Sequence, residues 1–384
     1  MVYTKDTKTG GSVMLIEYSI KGFKSFCNET SVDLRAKNYK ILTTINTTKE
    51  NILKGLMFVG GNASGKSNSV LPLKLLLDLL FAKTDISIRN YRCKFGGEEI
   101  SLCYKFLIDG TEIVYAIDYN CEENITVEKL TVGGELVLDR IGGTATDTTS
   151  GNKKFITDIQ DGSLILREIY FNSKFRNNAV LKKWFAFLMN SIYIDLYQKE
   201  VSVYRDINLD LAEHLSKNGV EQINAFFKEF NFGQSVEFEG TSSKSSQIYF
   251  KRENVDVKIP YALESLGNQN LVTLLPKLFY VIENGGMLIL DEFSSGFHND
   301  LEELLISYFM KHADNAQLIF VSHSTNLLSN RLLRPDQIYT VDFEGGHGSV
   351  INRVSNQQPR EGQNLEKMYL GGVFDGLPKY NSVS

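Results

Sequence analysis

Cysteine is scarce, and the four present, Cys27, Cys93, Cys103 and Cys121, form no CxxC pair and no cluster with histidine at zinc spacing. This excludes a disulfide framework and a zinc module, and implies a reducing, cytoplasmic setting. Cys93 and Cys103 lie in or near strand-like sequence, where a thiol acts as a small apolar group. Long apolar runs are also missing. The greasiest stretch, LPLKLLLDLLFA (71–82), contains Lys74 and Asp78 and is too short for a bilayer, so it reads as a buried helix and no membrane is expected. MVYTKDTKTGGSVM lacks the apolar centre of a signal peptide, and residues 1–13 read as a flexible tail. Neither sign of charge dominates, since the net charge is −5, which argues against a general nucleic-acid binder. Residues 1–60 hold nine Lys/Arg against five Asp/Glu, a mild excess that reads as a solvated rim. No internal repeat and no heptad run is visible.

What is present is an ordinary globular composition, 42% hydrophobic and 23% charged over 384 residues, enough for one large domain or two modest ones. MLIEYSIKGF (14–23) alternates and opens a sheet. GLMFVG (55–60) reads as a short buried strand, followed by a helix from about Lys66 to Phe81 that Pro72 should kink or start late. Residues 95–171 read as an antiparallel insertion. ISLCYKFLI and TEIVYAIDY flank an Asp109-Gly110 turn, ITVEKLTV and ELVLDRI form a second hairpin, SLILREIYF is a further strand, and GGTATDTTSGNKK (142–154) is a mobile loop. Residues 172–260 have a helical and mixed texture, with NAVLKKWFAFLMNSI and VEQINAFFKEF apolar at three-four spacing. From 261 to 384, helices alternate with the strands GMLILDE, AQLIFVS and QIYTVDF, the pattern of a mostly parallel sheet covered on both faces. The expected fold class is α/β, with 14–94 and 261–384 as two parts of one core.

Three motifs carry chemistry. Gly60-Gly61-Asn62-Ala63-Ser64-Gly65-Lys66-Ser67 fits G-x-x-x-x-G-K-[ST], follows a strand and opens a helix. Its glycines let backbone N–H groups curl around phosphate, and the helix N-terminus adds positive dipole. Lys66 is expected on the β- and γ-phosphates, Ser67 on Mg²⁺, and Asn68 beside them. MLILDE (287–292) ends a strand in two carboxylates: Asp291 for Mg²⁺ and Glu292 to orient and deprotonate water. LIFVSHS (318–324) places His323 at the end of another strand, within reach of the γ-phosphate or the attacking water. His298, in SSGFHND, either caps a helix or faces a partner. A fourth stretch, ALESLGNQN (262–270), packs more small polar groups than a helix cap needs.

The order of phosphate loop, antiparallel insertion, helical region, SLGNQN, LILDE, SSGFH and VSHS resembles the ATP-binding-cassette class of ATPases, with its SMC, RecF and overcoming-lysogenization relatives. The resemblance implies an ABC-ATPase head: a P-loop parallel sheet flanked by helices, plus an antiparallel β insertion and a helical subdomain. It also implies ATP and Mg²⁺ as ligands, and a Ser-x-Gly signature that binds the γ-phosphate of ATP held by a second subunit. Ser265 and Gly267 match its small donors, and Asn268 and Gln269 its polar continuation. Leu266 departs from the usual LSGGQ by replacing a glycine. Gln198 is a Gln-loop candidate by position only. IKGFKSF, NASGKSN, LRPDQIYTVD and YLGGVFDGLP further resemble the compact AAA-type ATP-binding proteins of bacterial abortive-infection and restriction-linked loci. The terminal segment's Gly/Phe/Pro pattern suggests a tail packed on the domain.

Residues 68–264 show none of the long heptad arms of SMC-type proteins. Only 61 residues follow His323, too few for the nuclease domain of the overcoming-lysogenization proteins, so cleavage of nucleic acid is not expected. Three functions stand in order. The first is an ATP-hydrolysing switch that forms a homodimer or higher homo-oligomer through its ATP sites and controls a separate effector, a nuclease or toxin in phage defence. The second is a RecF-like or SMC-like repair ATPase that binds DNA. The third is a scaffold that binds nucleotide without hydrolysing it.

Overall fold

Two kinds of hydrophobic pattern produce two kinds of sheet in the computed structural model, which describes residues 12–84, 86–240 and 246–377. Most of the expected tail, residues 1–11, lies outside the described residues, and Val13 already opens a strand.

Strict alternation gives an antiparallel sheet of eight strands. From edge to edge they are Thr30–Asp33, Val13–Lys21, Ile100–Ile108, Thr111–Tyr119, Ile125–Val132, Glu135–Ile141, Thr144–Asp147 and Lys154–Ile156. Asp109 and Gly110 both have positive φ, 51° and 80°, as the tight two-residue hairpin requires. This layer reaches beyond residues 95–171, because Val13–Lys21 pairs with Ile100–Ile108 and sets Tyr18 against Tyr104 and Ile20 against Leu102. Those four side chains are buried on one apolar face.

Continuous apolar runs give the second sheet, ordered Glu200–Val203, Ile192–Asp195, Gly286–Asp291, Ala316–Val321, Gly55–Gly60, Ile338–Phe343 and Ser349–Arg353. Its five central strands are parallel and its two edge strands antiparallel. Successive residues face opposite cores. Phe58, Ile289, Ile319 and Val321 enter a core shared with the antiparallel sheet, helix Lys66–Phe81 and helix Ala179–Met189. Met57, Val59, Leu288, Leu290 and Phe320 enter a second core against helices Leu266–Asn284 and Asn299–His312. A parallel sheet buried on both faces accounts for strands without polar alternation. A small sheet of Gln234–Glu239, Gln247–Arg252 and Lys258–Pro260 leads into helix Leu266–Asn284.

The structure departs from the sequence expectations at four places. SLILREIYF is not a strand: Ile165–Ser173 is a helix. The backbone N–H groups of Ile165 and Leu166 donate to the Glu128 carboxylate at 2.8 and 2.9 Å, so a residue 37 positions away caps this helix. Thr144–Asp147, within the expected mobile loop, is a strand whose Ala145 and Asp147 are buried, and Asp147 accepts from the Thr149 N–H and hydroxyl. The helix expected through Ile192 stops at Met189, and Ile192–Asp195 joins the parallel sheet beside Gly286–Asp291. Pro72 does not delay its helix, which begins at Lys66. Buried tyrosines hydrogen-bond the carbonyls around it, Tyr18 to Ser69 and Tyr104 to Pro72. No helix among the described residues is long and apolar enough to cross a membrane.

The LRPDQ motif is a structural clamp. The buried Arg334 guanidinium donates to the carbonyls of Lys37, Tyr39 and Ile41, to the Thr43 hydroxyl, and to both oxygens of buried Asp336 at 2.9 Å. Gln337 extends the clamp to Asn46 and to the Gly55 carbonyl at the foot of the phosphate-loop strand. Arg334→Ala leaves a buried carboxylate without its counter-charge and should lower stability by about 3–5 kcal/mol in urea unfolding. Arg334→Lys should not restore it, because the fork geometry is lost. A loss below about 1 kcal/mol would contradict this account.

Candidate functional site

The parallel strands end on one side, and the motif residues gather there. Gly55–Gly60 runs into the phosphate loop and then into helix Lys66–Phe81. The loop needs unusual backbone: Ala63 has φ 61° and Gly65 φ 102°. A Cβ on Gly65 would lie 2.3 Å from the Ser349 hydroxyl and 2.6 Å from that of Ser25, so no side chain fits there. These two hydroxyls brace the loop from behind, since Ser349 donates to the Ser64 carbonyl at 2.6 Å and Asn68 donates to Ser25 at 2.8 Å.

Asn62, Ala63, Gly65, Lys66, Ser67 and Asn68 line a cavity of about 240 Å³ together with Glu292 and His323. A larger cavity of about 620 Å³ shares Asn62, Ser67, Glu292 and His323, and adds Asp195, Tyr197, Gln198, Asp291 and Ser295. Gly60 and Ser64 are buried in the loop's own packing. Gln198, placed in sequence by position alone, thus lines the same cavity as Ser67 and Asp291. Ser265, Gly267 and Asn268 line neither cavity.

No side chain caps the phosphate-loop helix, so its first-turn N–H groups and dipole face a polar cavity, a setting that fits phosphate. Lys66 is buried, and its ammonium donates to the Gly61 carbonyl at 2.6 Å. Burial lowers its pKa, opposed by Glu292 and Asp291. Asp291 is also buried. Its carboxyl pKa is pushed up to about 6, by burial first and by Asp195 and Glu292 after it, while a hydrogen bond from Ser67 opposes the shift. The Tyr193 hydroxyl donates to Asp291 Oδ2 at 3.4 Å. A buried carboxylate joined to a hydroxyl, in need of positive charge, is a donor set that fits Mg²⁺. Among the described residues there is no cluster of three or more His, Cys, Asp or Glu placed to hold a metal by themselves.

Glu292 adopts a left-handed backbone conformation, φ 52° and ψ 44°, a strained geometry for this residue type that turns its side chain out of the strand. Its carboxylate lies 3.5 Å from His323 Nε2. Burial and the charge of Lys66 lower the His323 pKa, and Glu292 pulls the other way. The resulting neutral imidazole can accept at one nitrogen and donate at the other. The His323 loop is held from below. Ser322 and Ser324 donate to the fully buried Glu302 at 2.8 and 2.6 Å, and the His323 N–H donates to the Ser294 hydroxyl at 3.2 Å.

Glu302, Asp195 and Tyr193 were missed in the sequence. Glu302 could have been found, because with Leu305, Ile306, Phe309 and Met310 it falls on the buried stripe of its helix. Asp195 ends IYID as Asp291 ends LILD, and the two are register partners.

Ser265 is the N-cap of helix Leu266–Asn284 and accepts from the Asn268 N–H at 3.3 Å. Glu264, paired with Arg252 through both oxygens at 2.9 Å, accepts from the Ser265 N–H. The tip is nevertheless open. Nothing lies within 4 Å of a Cβ placed on Gly267, and Leu263 and Leu266 are 78% and 62% exposed. Asn270 ties this helix to the Gly296 carbonyl, just after Glu292. His298 precedes helix Asn299–His312, makes no cap hydrogen bond and is 80% exposed at its side chain.

An NMR titration should place the His323 pKa below the usual 6.5. Lys66→Ala should raise it by removing a positive neighbour, and Glu292→Gln should lower it further by removing a negative one. Shifts of the opposite sign would show that the three groups do not face one another.

Residues 151–329 match the family described as "AAA domain, putative AbiEii toxin, Type IV TA system". No curated protein matches the chain. Among solved structures, an Smc head bound to the C-winged helix domain of ScpA is 15% identical with a TM-score of 0.51, over 88% of this chain and 96% of that one. The SMC head domain from Thermotoga maritima is 16% identical with a TM-score of 0.49, over 88% and 97%. The first of these carries the comparison of fold. The chain has the fold of an SMC-type ATPase head, and residues 151–329 carry the match to the AAA-domain family.

Proposed function

We propose that the chain is an ATP-hydrolysing switch whose two copies enclose two ATP molecules and control a separately encoded effector, a nuclease or toxin, in phage defence. The observation that carries this reading is a division of the motif residues. The phosphate loop, Asp291, Glu292 and His323 meet at two cavities that share lining residues, whereas the Ser265–Asn268 tip stands open elsewhere on the same chain. A site so divided is completed by a second copy, with Ser265 and Gly267 offered to the neighbour's γ-phosphate. The AbiEii-type family match supports the defence setting.

Each side chain then has a task. Loop N–H groups bind the β-phosphate, and Lys66 leaves the Gly61 carbonyl to bind the phosphates. Ser67 and Asp291 would hold Mg²⁺, with Gln198 lining the same cavity, and the ion would neutralise charge on the phosphates. Glu292 orients water in line with the γ-phosphate and takes its proton, while neutral His323 donates its single N–H to a γ-phosphate oxygen.

Glu292→Gln should retain ATP binding, slow hydrolysis by about 10²–10⁴-fold, and double the solution mass in light scattering when ATP but not ADP is added. Lys66→Ala should lose nucleotide binding. Parent-rate hydrolysis by Glu292→Gln would remove the assignment of that carboxylate.

A further inference from the structure

The stretch 364–377 has no task in that chemistry, yet it touches both loops that carry it. Its helix Leu365–Leu370 is capped by Asn364, and Glu366 accepts from the Thr325 hydroxyl at 2.8 Å, two residues beyond His323. The chain then turns back, with Phe374 buried, towards the phosphate loop. The Gly376 carbonyl accepts two hydrogen bonds, from the buried Tyr369 hydroxyl at 3.0 Å and from the Gly61 N–H at 2.9 Å. Thr340 fixes the approach by donating to the Phe374 carbonyl at 2.6 Å. Gly376 has φ 79°, and a Cβ there would lie 3.1 Å from Thr340 Cβ and 3.3 Å from the Val341 carbonyl oxygen, so the contact requires glycine.

We infer that residues 364–377 are a strap that positions the phosphate loop and ties it to the His323 loop, with the Gly376 carbonyl as the positioning acceptor for Gly61. The consequence for nucleotide binding rests on the ATP reading above. Gly61 is held from both sides, its N–H by the strap and its carbonyl by the Lys66 ammonium at 2.6 Å. When Lys66 moves to a phosphate, one of these restraints goes. The strap keeps the Gly61 peptide in place, so the loop retains its curl while its lysine changes partner. Glu366 and Thr325 carry the same frame to the segment that follows His323. The glycines and Phe374 of the terminal segment therefore encode a tight return and a backbone acceptor, while Pro378 lies outside the described residues.

The test uses the full chain and three variants: Tyr369→Phe, which removes one hydrogen bond from the Gly376 carbonyl; Gly376→Val, which forces the strap off; and Val373→Ala at an exposed site of the same segment as control. Hydrogen exchange at the Gly61 amide and the dissociation constant of a fluorescent, non-hydrolysable ATP analogue are read together. Tyr369→Phe should speed Gly61 exchange and weaken the analogue by about fivefold, the effect of one net hydrogen bond, and Gly376→Val by more. The control should match the parent in both. Unchanged Gly61 exchange in both strap variants overturns the inference, as does faster exchange with unchanged affinity. A parent chain that binds no analogue removes the ATP reading alone, and Gly61 exchange then decides the strap.

Discussion

Adjacent parallel strands can be joined only by crossing over the sheet, and a sheet crossed on both faces must be apolar on both. The five central strands obey this constraint, and the site depends on it. Because each strand enters from the same side, Gly60, Asp195, Asp291 and Val321 all fall near one edge, where the backbone leaves the sheet and the loops that line the cavities begin. Two cores of opposite facing hold the strands in register, with Met57 and Phe58 or Leu288 and Ile289 pointing to different layers. The antiparallel sheet completes the first core by covering the helix that starts at Lys66.

On that frame, the polar groups balance one another. Lys66 sits among Asp291, Glu292 and His323: Glu292 bears on the ionisation of the other three, Asp291 on that of Lys66, and Lys66 on that of His323. The balance is provisional, since Lys66 is held by a carbonyl of its own loop and Asp291 by neutral hydroxyls. Both arrangements are ones that phosphate and a divalent cation would replace. Around them the supports are rigid: the hydroxyl pair Ser25 and Ser349 behind the loop, Glu302 beneath the His323 loop, and the strap at Gly61.

Much of this was legible in the sequence because its signals are local. A glycine-rich loop between an apolar strand and a helix, and apolar runs ending in Asp-Glu or Ser-His, carry their context within ten residues. What was not legible depends on distant partners. Ile165–Ser173 looks like a strand until Glu128 supplies a cap from another sheet strand, and Ile192–Asp195 is too short to be seen beside the helix that precedes it. Gln198 could be placed only by position, because its place on the cavity shared with Ser67 comes from the parallel pairing of Ile192–Asp195 with Gly286–Asp291. The role of YLGGVFDGLP was hidden for the same reason, since its main contact is a backbone hydrogen bond to a residue more than 300 positions earlier. The ALESLGNQN tip is a sound helix cap in its own chain, and its exposure is what sets it apart.

The central claim is that each site takes its phosphate loop from one copy and its Ser265–Gly267 tip from another. Complementation measures this directly. Lys66→Ala and Ser265→Arg chains, each inactive alone, are mixed and assayed for ATP hydrolysis. A shared site predicts that the mixture recovers activity, because a mixed pair contains one site with an intact loop facing an intact tip. A mixture as inactive as its two components, with mixed pairs shown to form, would contradict the account.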